Sequence, residues 1–329
     1  MPQARFPTLD LLRGVAAIAV VLGHGPTFFD MQVNGTLCVD LFFVLSGFVL
    51  GYAYDRRVED GMSGSAFLRA RLIRLYPLYL VGIMLGLVAF RDTMHGVPGL
   101  LTLAFTLVFL PNPFTPVMFP LNPPAWSLFF ELFINIVYGF ARPGRLGAIV
   151  GVMAVALVVT TLAYGTLDSG ILWGGFARVG FSFFAGLVAW RFFSRRERRP
   201  LPAWTALVLT AALCLIVGLR PTPEWRLAFE LSAVLVGFPA IIYLGARTPL
   251  SGAMHTIGTQ AGLASYPLYV IHWPLLRLLE PFQTPGSLLW WGVIPALIAI
   301  SIVLERTVHE PIKSWLLSGP SLRNQPERA

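Results

Sequence analysis

A chain of 329 residues with 56% hydrophobic and only 12% charged residues has too few polar side chains to coat a globule of its size. Its mean hydropathy of +0.71 excludes water as its main solvent. A formal charge of +8 raises nucleic-acid binding as a question, but basic loops between apolar segments follow the positive-inside pattern of membrane proteins, and no nucleic-acid partner is expected.

Apolar segments run over about 9–29, 36–54, 75–90, 98–111, 125–141, 146–163, 171–190, 203–219, 228–246, 263–279 and 288–305, separated by turns rich in Pro, Gly, Arg and Asp. Their lengths approach the roughly 20 residues that span a bilayer as a helix, so the expected fold is all-α, a polytopic transmembrane bundle. Asp10 and Arg13 interrupt the first segment and no small-residue cleavage pattern follows, so it is read as a retained helix, not a signal peptide. Cys38 and Cys214 fall in different segments without framework spacing and are expected as unpaired thiols packed as small hydrophobes.

Charge sets the expected topology. With a cytoplasmic N-terminus, Arg56, Arg57, Arg69, Arg71 and Arg74 lie inside after two spans. The run Arg191, Arg195, Arg196, Arg198 and Arg199 also lies inside only if 75–90 and 98–111 together make one net crossing. That reading gives about ten spanning helices, both termini cytoplasmic, with one re-entrant or broken piece. Segment 98–111 is the better candidate for it, being short and leading into the Pro-rich stretch from Pro111 to Pro124. The chain divides into a transmembrane domain over 1–311 and a short cytoplasmic tail over 312–329, and shows no internal repeat of the kind that builds transporters from inverted halves.

Ionisable groups inside membrane helices are costly and mark cavities, which makes them the candidates for chemistry. Arg13 and His24, eleven residues apart, stand nearly three whole turns apart on one helix face, separated by roughly 16 Å of rise. Asp40 and Glu131 are expected near the outer ends of their helices, where either orients His24 or pairs with an arginine. Ser46 and Ser127 lie outside any GxSxG elbow and read as hydrogen-bonding residues. Trp126 is equally an interfacial aromatic. Ser265, Tyr269 and His272 share a face at i, i+4, i+7, on a helix that Pro267 and Pro274 are expected to bend or break. His95, His255 and His309 read as loop residues without ligand spacing, so no metal site is expected.

Six stretches in order carry a family resemblance. RGVAAIAVVLGH (Arg13 to His24) resembles the arginine, ten residues, histidine signature of the acyltransferase 3 family of membrane proteins. VDLFFVLSGF from Val39, FLRARLIRLYPLY from Phe67, PPAWSLFFE from Pro123, SYPLYVIHWP from Ser265 and Glu310-Pro311 are similar to its later motifs, so the resemblance runs from residue 9 to about 311. It implies a ten-helix, multi-pass enzyme, here of a bacterial inner membrane. Such an enzyme moves an acyl group, commonly acetyl, from acyl-coenzyme A to a hydroxyl of a carbohydrate, glycolipid or other acceptor. The coenzyme A thioester is then a co-substrate, with no cofactor bound permanently. Many relatives carry an appended esterase-like domain; the sequence is read as the stand-alone form, acting alone or with a separate esterase-like or biosynthetic partner.

The residues suit that chemistry. An attacking alcohol must lose a proton, and an imidazole with a reference pKa near 6.5 is a suitable base. His24 is the first candidate and His272 the second, with Glu131 and Asp40 as carboxylates acting with them. The phosphates of coenzyme A require cations, available as Arg13, Arg69, Arg71 and Arg74. Ser46, Trp126, Ser127, Ser265 and Tyr269 are expected to line the cavity. A transporter or flippase using the same intramembrane polar groups remains the competing reading.

Overall fold

The computed structural model describes residues 6–25, 29, 33–93, 95–141, 146–165, 167, 172–195, 199–282 and 288–318. Among them the secondary structure is helical throughout. Eleven principal helices follow the apolar segments in order: α1 Pro7–His24, α2 Gly35–Glu59, α3 Gly64–Ala89, α4 Gly96–Leu107, α5 Trp126–Ala141, α6 Leu146–Tyr164, α7 Leu172–Ser194, α8 Thr205–Gly218, α9 Pro223–Ala246, α10 Gly252–Leu279 and α11 Trp290–Leu317. Eight of these are long and apolar enough to cross a membrane by length and composition. Helix α10 has the length, at 28 residues, while α4 and α8 are shorter apolar helices.

The packing inverts that of a water-soluble bundle. Val152, Val155, Val159 and Leu162 of α6 are each more than half exposed, at 62%, 63%, 58% and 65%, whereas Asp40, Arg71 and Arg178 are 0%, 3% and 1% exposed. Apolar side chains outside and paired charges inside suit a hydrocarbon solvent. Cys38 is buried as expected, but Cys214 is exposed on the apolar exterior instead of packed inside.

Helix directions settle the role of α4. Asp40 and Asp55 of α2 meet Arg178 and Arg191 of α7, and Gly47 of α2 lies against Phe183, so α2 and α7 run parallel. Parallel packing requires that α3 to α6 cross the bundle an odd number of times in all, so the four cannot all be full crossings. The contacts show what α4 does. Helix α3 ends at Ala89, yet the far end of α4 lies back beside the middle of α3: Tyr76 Oη donates to the Leu107 carbonyl at 3.0 Å and Tyr79 Oη to that of Thr106 at 2.7 Å. The chain then returns to place Leu121 against Gly86. The segment dips into the bundle and comes back on the same side, with Phe109 at a left-handed φ of 58° at its turn and stacked on Tyr79.

Prolines shape the other helices. Pro274 cannot donate to the carbonyl of Val270, and Asn122 Nδ2 donates to it instead at 2.9 Å. Helix α10 therefore continues unbroken through Pro267 and Pro274, contrary to the expected break. In α9 and α11 the strain of Pro239 and Pro311 is taken up by π-helical turns, Ala233–Gly237 and Glu305–His309. Helix α11 carries on to Leu317 across the position read as the start of the tail, and residues 319–329 of that tail lie outside the described residues.

Candidate active site

Helix α1 runs parallel to α10, and both faces read from the sequence meet at their contact. Arg13 Nη2 donates to the Gly262 carbonyl of α10 at 2.5 Å, and ten residues further along α10 His272 Nε2 lies 3.1 Å from His24 Nδ1. Gly14 makes this approach possible, since a Cβ there would crowd the Ala261 carbonyl.

At the Arg13 end a cavity of about 110 Å³ opens between α1, α2, α3, α5 and α10. Its polar lining consists of Arg13, Arg71, Arg74, Ser46, Glu131, Ser127, Ser265, Tyr266 and Tyr269. Arg71 Nη2 donates to Glu131 Oε1 at 2.8 Å, and Ser46 Oγ donates to the same oxygen at 3.1 Å. Glu131 is thus level with Arg71, seven residues into α3, and not near the outer end of the bundle as expected. The reason is the re-entrant segment, which feeds α5 into the bundle part-way down. Three guanidinium groups and one carboxylate line the cavity, with Asp10 just outside it 3.4 Å from Arg13 Nη2, and Nε of both Arg13 and Arg71 is buried without an acceptor among the described residues. In a membrane interior an excess of positive charge with unused donors is costly unless an anionic or strongly polar ligand completes it. Arg69 is exposed on α3 and does not line the cavity.

The cavity is closed toward the histidines by a small polar cluster. Tyr269 Oη and Ser127 Oγ are 2.7 Å apart, and each hydroxyl is also within reach of the Pro124 carbonyl. The rings of Tyr269 and His272 lie 5.9 Å apart, so the histidine pair stands one side chain beyond the lining. Trp126 sits at the head of α5, half-buried, with the Arg178 guanidinium 5.7 Å from its ring.

Hydrogen-bond bookkeeping orients the pair. His272 Nδ1 faces the carbonyls of Leu268 and Tyr269 at 3.1 and 2.8 Å, and carbonyls only accept, so Nδ1 carries the proton. In the neutral ring Nε2 then holds a lone pair and accepts from His24 Nδ1. That leaves His24 Nε2 as the unprotonated nitrogen. Trp273 packs edge-on against His24 at 5.2 Å. His272 is buried and has both nitrogens engaged, one by backbone carbonyls and the other by His24.

Asp40 lies elsewhere. It is paired with Arg178 of α7, with Oδ2 and Oδ1 at 2.5 and 3.2 Å, and neither it nor Glu131 contacts His24. Arg178 also donates to the carbonyls of Leu167 and Thr36. Sequence reasoning misses this residue, although an arginine inside an apolar run, LWGGFARVGF, is the available signal. His255 stands on the first turn of α10 and not in a loop. His309 is likewise not in a loop: it is buried in the π-helical turn, bonded to Glu305 through Nδ1 at 2.9 Å and to the Arg74 carbonyl through Nε2 at 2.8 Å. With Glu310 it forms a cluster whose ligand atoms lie within 4.8 Å of one another, an arrangement able to hold a metal ion that loop spacing does not suggest. Both nitrogens of His309 are already engaged by protein partners, so the cluster serves to fasten α11 to Arg74.

A family model described as an acyltransferase domain of the acyltransferase 3 type matches residues 6–306. The chain belongs to the acyltransferase 3 family. It is 40% identical over 183 residues to protein 2 in the picA locus of Rhizobium radiobacter, covering 49% of this chain and 96% of that protein. It is 32% identical over 154 residues to acyltransferase MdmB of Streptomyces mycarofaciens, covering 41% of this chain and 38% of that protein. No solved structure matches. As a member of the family the chain is a multi-pass membrane O-acyltransferase, transferring groups other than amino-acyl groups.

Proposed function

We propose that the protein transfers an acetyl group from cytoplasmic acetyl-coenzyme A to a hydroxyl of a glycan, glycolipid or other acceptor reached from the far side of a bacterial inner membrane. The observation that carries the proposal is the cationic cavity of Arg13, Arg71 and Arg74, separated by Tyr269 and Ser127 from the histidine pair. Its volume of about 110 Å³ is below the roughly 300–1,000 Å³ that encloses a whole drug-sized ligand. It suits the acyl thioester end alone. The unused Nε donors of Arg13 and Arg71 are available to the thioester carbonyl oxygen, on which charge develops as the carbonyl is attacked. Arg74 adds positive charge to the lining at the thioester, and Arg69 on the exposed side of α3 adds charge at the approach for an anionic donor.

In this reading His24 Nε2 takes the proton of the acceptor hydroxyl as its oxygen bonds to the thioester carbon. The tetrahedral adduct then collapses, the carbon–sulfur bond breaks, and the proton passes to the departing thiolate. A base so placed contributes about 10²–10⁴ in rate. The thioester carries the transfer potential, and no nucleotide triphosphate enters. Tyr269 must move from Ser127 for the acyl carbon to come within reach of His24.

The test needs no acceptor. Acetyl-coenzyme A at about a hundredfold excess over its dissociation constant should stabilise the detergent-purified protein by roughly 2.7 kcal/mol, and Arg71→Ala/Arg74→Ala should abolish most of that shift. A folded protein that no acyl-coenzyme A stabilises would overturn the proposed donor.

A further inference from the structure

The cavity at Arg13 has no room for the nucleotide half of a coenzyme A donor, and the structure offers a second cavity at the same end of the bundle. It has a volume of about 370 Å³ and is lined by Phe6 and Pro7 at the start of α1, Phe193 near the end of α7, Arg199, Arg247 and, on the first turn of α10, His255. Among the described residues no acidic side chain lines it. Arg247 is held in place by its Nη2 donating to the Arg199 carbonyl at 3.2 Å and by the Tyr243 ring, whose centroid lies 5.9 Å away. Its Nε is buried and meets no acceptor among the described residues.

Two further features favour an anion. Because α1 and α10 run parallel, both present their N-termini at this cavity, and neither Phe6 nor Ser251 caps its helix with a side-chain hydrogen bond. Two helix N-termini without side-chain caps therefore flank a cationic lining, and Asp10 in the first turn of α1 is engaged with Arg13 at 3.4 Å. Phe6 and Phe193, with ring centroids 5.8 Å apart, supply apolar aromatic surface beside the cations. From Pro7 to Arg13 is six residues of α1, about 9 Å of rise, shorter than an extended pantetheine arm.

We propose that this second cavity binds the phosphorylated adenosine end of the donor. Arg199, Arg247 and His255 meet its phosphates, Phe6 and Phe193 border the purine, and the pantetheine arm passes along the first turns of α1 to the cavity at Arg13. The inference rests on the acyl-coenzyme A reading above.

Binding of acetyl-coenzyme A and of S-acetylpantetheine, which lacks the nucleotide, separates the two ideas. The wild type should bind acetyl-coenzyme A more tightly. Arg199→Ala/Arg247→Ala should weaken acetyl-coenzyme A by about tenfold to a hundredfold and leave S-acetylpantetheine unchanged, whereas Arg71→Ala/Arg74→Ala should weaken both. Arg199→Glu, at an exposed position, gives the same selective loss if the double variant does not fold. Equal wild-type affinity for the two ligands, or an undiminished preference in the Arg199 and Arg247 variants, overturns this site and leaves the donor reading standing. Binding of neither ligand by the wild type overturns both.

Discussion

Asp40 and Arg178 provide the sharpest separation of structural from catalytic carboxylates. Both are essentially unexposed, at 0% and 1%, and the guanidinium spends its donors on both Asp40 oxygens and the carbonyls of Leu167 and Thr36. Arg178→Met leaves a buried carboxylate and two carbonyls without their donor. The cost expected for breaking one side of a buried pair is about 3–5 kcal/mol, at the upper end here because each orphaned carbonyl adds its own desolvation. Asp40→Asn should cost less, since the amide oxygen still accepts from Arg178, which keeps its carbonyl partners. Asp40→Leu/Arg178→Met removes both charges together and should recover most of the stability lost in Arg178→Met. The assay is thermal and denaturant unfolding in detergent, with acyl transfer measured on the folded fraction. If the charge-free double variant is stable but inactive, or if Asp40→Asn loses turnover at wild-type stability, Asp40 takes part in catalysis and the structural assignment is wrong.

Other outcomes follow from the proposed mechanism and the same packing. His24→Ala should lower turnover by about 10²–10⁴ while keeping the stabilisation by acetyl-coenzyme A, and loss of both together would contradict the division between base and donor cavity. Because the base must be unprotonated, wild-type turnover should fall as pH falls, and this limb should vanish in the residual activity of His24→Ala. His272→Phe fills the space of the ring but offers no acceptor to His24 Nδ1, so it should reduce kcat with little change in donor affinity; an altered affinity with intact kcat would refute the positioning role. Gly47→Ala and Gly186→Ala each drive a Cβ into a carbonyl of the facing helix, Phe183 or Val44, and should destabilise by about 1–3 kcal/mol, whereas Gly147→Ala, with open space around it, should not.

Much of this protein is legible in its amino-acid sequence alone. Hydrophobic segments of membrane length depend only on local composition, and α1–α11 follow the eleven apolar runs because a bilayer obliges each one to satisfy its backbone internally. The count of crossings is legible too, because arginine loops are sorted by side during insertion, and the parallel packing of α2 on α7 agrees with it. Arg13 with His24, and Ser265 with Tyr269 and His272, can be grouped because helical periodicity puts them on common faces. Pairing between helices has no such signal. That Glu131 belongs to Arg71 and Asp40 to Arg178, that His272 and not a carboxylate orients His24, and that His309 is a buried clasp all depend on which helices are neighbours and at what depth. Depth is decided by the fold of 91–125, whose excursion into the bundle moves Glu131 to the level of the arginines, and residue spacing along a single chain carries no record of such a displacement.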